Sequence, residues 1–352
     1  MKSKYWGILI LILVVMTAVV YPIFKPQGYP EVNLTGYLGG EKKGLLSNPE
    51  FKKLIKKKYN LTMDYKVVGS LEMVNSDNSE QDYLFPSSQL ALELFKNQGK
   101  QGKQDEIIFN TPIVLYSRKK VVDALVNEGI VNKKDNVYYV DMIELANLMR
   151  EEKSWADVGL SELNGKILVS TTNPNESNSG NMFLGLLANA LNQNKMIHRG
   201  NIDDIKPTLQ KIYRAMGYMQ RSSSDMFNQF MRMGYGAYPL IAGYENQLLE
   251  FSKNQPKVYE QVKDDVMILY PSPTVWSSHV YISLTDESKI AIEALSDPQV
   301  QELAWKEHGF RTIVSGTADP KEFPVSGLAK DITNTMNVPN IEEMEVLMES
   351  VR

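Results

Sequence analysis

The stretch that decides the fold runs from residue 165 to residue 190 and reads GKILVSTTNPNESNSGNMFLGLLANA. Residues 167–170 are rich in strand formers, residues 171–180 are polar, and an apolar helix is predicted from Asn181 onward. A helix start carries unpaired backbone N–H groups and the positive end of the helix dipole, so polar side chains there form a cradle for an anion or another polar ligand. The same side chains can instead cap the helix, and this stretch alone leaves both interpretations open.

Strands and helices alternate along the rest of the chain, which is typical of an α/β fold with largely parallel strands. A second junction of strand, loop and helix lies at residues 82–95, with Ser87 and Ser88 at the helix start. The apolar run at residues 107–116 is too long for one small sheet, so we place a crossing between two domains within it. A second candidate crossing lies at residues 271–273, Pro-Ser-Pro.

An apolar run at residues 5–24 has about the 20 residues that a helix needs to cross a bilayer. Lys2 and Lys4 precede this run, which predicts a cytoplasmic N-terminus and a chain that is otherwise extracellular or periplasmic. A cleaved signal peptide usually ends in small residues, and Met16-Thr17-Ala18 matches that pattern poorly. Residues 1–28 are therefore predicted to be a retained single-pass anchor in the cell membrane.

The composition excludes several classes of protein. The chain has no cysteine, which rules out a lipid-modified cysteine, disulfides and thiolate-bound metal, and fits a bacterial surface protein. The formal charge of −4 becomes −7 when Lys2, Lys4 and Lys25 are set aside, so nucleic acid is not an expected partner. Five lysines between residues 52 and 58 have the spacing of a solvated helix face, which can lie near an anionic membrane surface.

Catalytic and metal-binding patterns are absent from the sequence. His198, His279 and His308 are isolated from one another and have no acidic partners at metal-ligand spacing, so each is interpreted as structural. There is no G-x-S-x-G nucleophile turn and no phosphate-binding loop of the G-x-x-x-x-G-K-[ST] type. We therefore expect a binding protein rather than an enzyme, with no cofactor and no metal.

Six short motifs occur in an order that resembles one known family. They are Gly36-Tyr37-Leu38-Gly39-Gly40, Phe85-Pro86-Ser87-Ser88, Phe109-Asn110-Thr111-Pro112, the loop from Asn173-Pro174 to Ser179-Gly180, Gly243-Tyr244-Glu245, and residues 305–311, WKEHGFR. In this order the chain is similar to the extracellular solute-binding proteins of ABC transporters, which have the type II periplasmic-binding-protein fold, in the branch near the molybdate and sulfate binders. The resemblance covers residues 31–312.

The resemblance implies two α/β lobes joined by a two-strand hinge, with the ligand held between them. Lobe 1 is expected at residues 31–112 and 275–324, lobe 2 at residues 113–274, and a polar C-terminal tail with a short helix at residues 325–352. Members of this group bind oxyanions through hydroxyls and backbone N–H groups. By position, the implied ligand-binding residues are Ser87 and Ser88 from lobe 1, and Asn178, Ser179, Gly180 and Tyr244 from lobe 2.

The sequence departs from that group in the predicted anchor, in the added tail and in a first loop, residues 36–44, that is charged where a serine is expected. Glu245 is a further departure, because a carboxylate beside an anion site would repel the ligand. Either Glu245 faces away and pairs with a lysine, or the ligand carries a cationic or sugar-like group. Tyr244 and Glu245 are also interpretable as an ordinary helix start with a favourable acid.

Three classes of function remain. The first is a membrane-tethered solute-binding protein that captures a small polar ligand, with an oxyanion as one candidate, for an ABC permease or a sensor. The alternative is a cell-surface interaction protein that uses the same fold without a small ligand. A hydrolase or transferase would require paired carboxylates, or a serine within hydrogen-bond reach of a base.

We predict that residues 5–24 stay attached to the mature protein, because the apolar run has the length of an anchor and lacks a good cleavage site. N-terminal sequencing of the protein isolated from its native membrane tests this prediction. A mature N-terminus at any position after Ala18 would contradict it.

Overall fold

The computed structural model describes residues 29–312 and 319–352, and the strands and helices named here belong to that part of the chain. The strands are β1 (Val32–Leu38), β2 (Leu61–Val67), β3 (Tyr83–Phe85), β4 (Gln104–Arg118), β5 (Val131–Lys134), β6 (Val137–Asp141), β7 (Leu240–Tyr244), β8 (Val266–Ser272), β9 (Trp276–Ser283) and β10 (Arg311–Thr312). The helices are Lys43–Ser47, Pro49–Tyr59, Ser70–Asn75, Gln89–Asn97, Lys119–Asn127, Met142–Arg150, Asn178–Leu191, Ile202–Met216, Ser223–Met233, Glu245–Asn254, Pro256–Val262, Ile290–Leu295, Pro298–His308 and Ile341–Ser350.

Strand β4 belongs to two sheets. Its residues 104–112 pair antiparallel with β9, and its residues 113–118 pair antiparallel with β7 on one side and β8 on the other. The first sheet has the order β2-β1-β3-β9-β4, and β10 pairs with the other edge of β4. The second sheet contains β7, β4, β8, β6 and β5. The apolar run at residues 107–116 lies within β4, and the division of the chain there into two lobes stays a prediction.

Successive residues of β4 face different cores, as the two-residue period of a strand requires. In the second sheet, Leu115 is buried in a core with the helix Asn178–Leu191, and Tyr116 is buried on the opposite face with Phe230 and Leu248. Both faces of this sheet are therefore covered, which explains why the run reads as continuously apolar. The first sheet has its own core, in which Phe109 stacks on Phe310.

Several helix ends follow from local sequence signals. The Asn48 side chain accepts hydrogen bonds from the backbone N–H groups of Glu50 and Phe51, and Pro49 is the first residue of that helix. Asp141 caps the helix Met142–Arg150 in the same way. Gly309 ends the helix Pro298–His308 with a φ of 70°, a backbone conformation that favours glycine.

The strand predicted at residues 167–170 does not form a ladder. This segment makes one isolated parallel bridge, in which the Ser170 N–H donates to the Leu240 carbonyl and the Ser170 carbonyl accepts from the Ala242 N–H. Strand β7 begins at Leu240, and only the end of the segment reaches it. The following helix begins at Asn178, three residues earlier than predicted.

The C-terminal tail is not a polar appendage, which corrects the prediction for residues 325–352. Val325 and Leu328 are buried in the core beneath the second sheet. Met344 and Leu347 of the predicted terminal helix, observed at Ile341–Ser350, are buried in the core on the other face of that sheet. The tail therefore contributes apolar side chains to both cores.

The predicted anchor at residues 5–24 lies outside the described residues. Of the helices within residues 29–312 and 319–352, none combines the length and the apolar composition needed to cross a membrane.

We expect Gly180→Ala to destabilise the fold by about 1–3 kcal/mol, the usual cost of overpacking a core. A Cβ atom at this position would lie 2.3 Å from the Thr172 carbonyl oxygen and 2.9 Å from the Pro174 nitrogen. Gly236→Ala is the matched control, because a Cβ there has no atom within 4 Å. Urea unfolding of both variants measures the difference, and equal free energies of unfolding would contradict the prediction.

Candidate functional site

The first predicted junction follows β3 and contains two buried serines that have different hydrogen-bond partners. The Ser88 hydroxyl accepts a hydrogen bond from the Leu90 N–H at 3.1 Å and so caps the helix Gln89–Asn97. The Ser87 N–H donates to Ser70 Oγ at 2.9 Å, which leaves the Ser87 hydroxyl and carbonyl for other partners. Ser88 therefore has the capping role, while Ser87 points its polar atoms elsewhere.

The second predicted junction precedes the helix Asn178–Leu191. The Ser177 side chain makes no capping hydrogen bond, although it precedes the first helical residue. Ser179 is buried, and its hydroxyl lies 2.8 Å from Thr172 Oγ1 and 3.1 Å from Ser177 Oγ. Gly180 follows it and lets the helix approach the Thr172 backbone closely. The hydroxyls of this loop thus bind one another rather than the helix end.

The two junctions contact each other. Asn178 Nδ2 donates to the Ser87 carbonyl at 2.9 Å and to the Tyr244 hydroxyl at 2.9 Å, and Ser277 Oγ lies 3.2 Å away. Asn178 is buried, and its Oδ1 atom has no hydrogen-bond partner among the described residues. The structure therefore brings Ser87, Asn178 and Tyr244 together, with Ser88, Ser179 and Gly180 directly beside them in the chain. Whether they bind a ligand stays a prediction.

A buried ionic group adjoins Ser87, and we call Glu41, Lys42, Ser87 and His279 the Glu41 cluster. The Glu41 carboxylate is bonded to the Lys42 ammonium and accepts from the Ser87 hydroxyl. Lys42 Nζ also lies 2.9 Å from Ser87 Oγ and 3.1 Å from His279 Nδ1. The first loop, noted in the sequence only as charged, therefore folds inward as a short turn, Gly40–Lys42, and buries its charges.

In this cluster, burial and the neighbouring charges shift the pKa values of Glu41 and Lys42 in opposite directions. Burial by itself raises the pKa of the Glu41 carboxyl, but the Lys42 ammonium and the His279 ring outweigh it, so that pKa lies well below its usual range. Burial lowers the pKa of Lys42, and the Glu41 carboxylate opposes that decrease. Burial and the Lys42 ammonium together lower the pKa of His279 to about 4. His279 is therefore neutral at physiological pH.

A cavity of about 490 Å³ lies beside these residues, and we call it the cleft cavity. Loops from the two sheets line it: residues 39–41, 67–70 and 72 on one side, and residues 175–178, 221–224 and 244 on the other. A second cavity of about 350 Å³, the side cavity, shares Gly40, Glu41 and Ser224 with it. Of the six predicted site residues, Asn178 and Tyr244 line the cleft cavity, whereas Ser87 contacts Asn178 without lining it. We call the two adjoining cavities together the groove.

Glu245 faces away from this groove. Its carboxylate forms a bidentate pair with Arg311, at 2.6 Å to Nε and 2.8 Å to Nη2, and accepts from the Tyr270 hydroxyl. The side chain is fully buried, and Glu245 is the first residue of the helix Glu245–Asn254. Of the two expectations for Glu245, the structure bears out the one that turns it away, with arginine rather than lysine as the partner.

Two of the histidines interpreted as structural each lie beside a carboxylate. His279 Nδ1 lies 3.3 Å from Glu41, and His308 Nδ1 lies 2.8 Å from Glu250. Both carboxylates come from distant parts of the sequence, so local spacing could not reveal them. No group of His, Asp and Glu side chains within the described ranges is arranged to hold a metal ion.

A further cavity, of about 710 Å³, lies elsewhere and is called the tail cavity. It is lined by Ser88 and the start of the following helix, by Trp276 and Ser278 of β9, and by residues 330–332 and 335–340 of the tail. Apart from Ser88, none of the predicted site residues lines it. The cleft cavity is the better candidate because two of the predicted site residues, Asn178 and Tyr244, line it, and only Ser88 lines the tail cavity.

The lowered pKa of His279 predicts how the protein responds to acid. Below pH 6.5 an unfolded histidine gains a proton that folded His279 does not take up until about pH 4, so stability falls across this window by about 1.4 kcal/mol per pH unit. His279→Gln should remove this part of the decrease, whereas the same change at exposed His198 should not. Urea unfolding at several pH values between 7 and 4.5 measures both slopes. Identical slopes in the wild type and His279→Gln would contradict the assignment.

No protein-family model and no curated protein matches this sequence. Solved structures do match its fold. The substrate-binding protein of an ABC transporter from Agrobacterium tumefaciens superimposes with a TM-score of 0.56 and 13% identity, covering 94% of this chain and 96% of that one. A Bordetella parapertussis protein described as an extracellular solute-binding protein gives a TM-score of 0.59 and 10% identity, with coverage of 90% and 97%.

The sulfate-binding protein of Mycobacterium tuberculosis gives a TM-score of 0.51 and 14% identity, covering 89% of this chain and 96% of that one. At such identities these likenesses show the fold, and they agree with the resemblance drawn from the order of the sequence motifs. The chain therefore has the mixed α/β fold of the periplasmic substrate-binding proteins of ABC transporters.

Proposed function

We propose that this chain is an extracytoplasmic solute-binding protein that holds a small polar ligand between two lobes for an ABC transporter or a sensor. One observation carries the proposal: the cleft cavity is lined by loops of both sheets and by Asn178, whose buried Oδ1 lacks a partner among the described residues. A buried amide oxygen without a partner is costly, and a ligand hydroxyl or N–H group that enters as the proposed lobes open would satisfy it.

The lobes we propose are residues 31–112 with 275–324, and residues 113–274, with the tail at 325–352. The pairing of β4 supports this division, because β4 changes partners from β9 to β7 and β8 near Pro112. The chain crosses back between β8 and β9, at residues 273–275. Two adjacent crossings permit a hinge motion that opens and closes the groove between the lobes.

We further propose that residues 5–24 tether the protein to the cell membrane, so that the lobes lie outside the cytoplasm beside a permease or a sensor. The charge distribution supports the orientation, because Lys2 and Lys4 precede the apolar run. The family of similar structures supports the partner, since it includes binding proteins of ABC transporters. A tether would keep the ligand-loaded form close to its membrane partner, where its effective concentration is high.

An interaction protein is the second candidate, and the direct contact between the junctions favours it. Asn178 Nδ2 already donates to the Ser87 carbonyl across the groove, so the two walls are joined by the protein itself. A partner protein could use the outer surface of this closed form without any solute. Solute binding remains the first choice because the groove continues past this contact into the cleft cavity and the side cavity.

A hydrolase requires a serine near a base, and Ser87 Oγ does lie 2.9 Å from Lys42 Nζ. Both side chains are fully buried, and the Ser87 hydroxyl donates a hydrogen bond to the Glu41 carboxylate. A nucleophile must reach its substrate, and this hydroxyl does not reach the solvent. We therefore propose binding and no catalysis.

A thermal-shift screen of the full chain in detergent tests the function, with sugars, polyols, amino acids, amines and oxyanions as candidate ligands. A ligand that binds only the folded state raises the melting temperature. For any hit, Asn178→Ala should weaken binding by about 1–3 kcal/mol, because it removes a hydrogen bond from a desolvated site. Thr335→Ala, at the tail cavity, should leave the affinity unchanged. A hit that is weakened only by Thr335→Ala would move the site to the tail cavity.

A further inference from the structure

One oxygen atom of the Glu41 cluster collects three polar neighbours. Glu41 Oε1 accepts from the Ser87 hydroxyl, is bonded to the Lys42 ammonium, and lies 3.3 Å from His279 Nδ1. The carboxylate is only 7% exposed, and Lys42 and His279 are fully buried. A hydroxyl, an ammonium group and an imidazole that converge in a desolvated place form a binding position for an anion.

The position of this oxygen relates it to the groove. Glu41 lines both the cleft cavity and the side cavity, so its carboxylate lies in the wall that they share. The Gly39 backbone passes so close that a Cβ there would lie 2.3 Å from Ser87 Oγ, 2.6 Å from Glu41 Oε1 and 2.7 Å from Lys42 Nζ. The first loop is therefore shaped to bring its own carboxylate to this point, and only glycine at residue 39 leaves room for it.

We propose that the Glu41 carboxylate fills the anion position of the groove in place of a free oxyanion. The donors that would hold an oxyanion are already used, and a second anion beside Glu41 would meet a like charge in a poorly solvated site. Where the proposed function holds, the cleft cavity then takes a polar solute without net negative charge, such as a polyol or an amine. Its other carboxylates, Glu72 and Glu176, agree with this, since Arg221 pairs with only one of them.

Chemical rescue tests the proposal without any knowledge of the solute. Glu41→Ala removes a group of the size of acetate and leaves the Lys42 ammonium buried without its partner, so the melting temperature should fall. Sodium acetate should then raise it by about 2–4 °C relative to sodium chloride at equal ionic strength, because acetate binds only the folded variant. Acetamide has the same shape without the charge and should have no effect.

Three comparisons make the outcome decisive. The wild type should show no specific response to acetate, because its position is filled. Glu72→Ala removes a carboxylate from the same cavity wall, but from outside the cluster, and should also show no response. The double variant with Glu41→Ala and Lys42→Met lacks the ammonium and should lose the rescue.

Absence of rescue in Glu41→Ala, or an equal rise in the wild type, would overturn the proposal. If Glu41→Ala does not accumulate as folded protein, Glu41→Ser is measured against formate in the same way, and absence of rescue there overturns it as well. Failure of the proposed function is a separate result, in which rescue occurs but no solute raises the melting temperature of the wild type.

Discussion

The rest of the structure depends on one strand that belongs to two sheets. Because β4 pairs with β9 up to Pro112 and with β7 and β8 beyond it, a single backbone connects the two sheets. The carboxyl ends of β1, β3 and β7 lead directly into residues 39–41, Ser87 and Tyr244, which meet around the groove. Ligands of open α/β sheets bind beyond such strand ends, so the position of the candidate site follows from the pairing of β4.

Internal ion pairs neutralise two buried carboxylates near the candidate site. Glu41 is held by Lys42, and Glu245 is held by Arg311 and Tyr270, so both buried carboxylates are satisfied internally. Buried ion pairs of this kind are costly to break, since removal of one partner leaves the other charge unpaired. What remains at the groove is mostly hydroxyl and amide, and such groups select a ligand by hydrogen-bond geometry more than by charge.

Local signals in the sequence predicted the features that depend on local structure. The long strand β4 and the helix that follows residues 171–180 depend on short stretches of residues, and the structure contains both. The Glu41 cluster and the Glu250 partner of His308 could not be predicted, because their members are far apart in the sequence. The one sequence signal that could have indicated the Glu41 cluster is the charged pair Glu41-Lys42 directly after Gly39-Gly40, since small residues permit a charged loop to fold inward.

The side chains at the predicted helix starts differ in their contacts, and whether the loop at residues 171–180 binds a ligand stays a prediction. At Ser88 and Ser222 the side chain caps its own helix, whereas Ser177 bonds Ser179 and makes no cap. Asn178 reaches across the groove to the Ser87 carbonyl instead of serving its own helix. The Asn178 side chain therefore does not cap its helix. Its hydrogen bond to Ser87 instead holds the loops that follow two different sheets close together. If the groove opens by the proposed hinge motion, the Asn178 bond, worth about 0.5–1.5 kcal/mol, must break, so this helix start would favour the closed form.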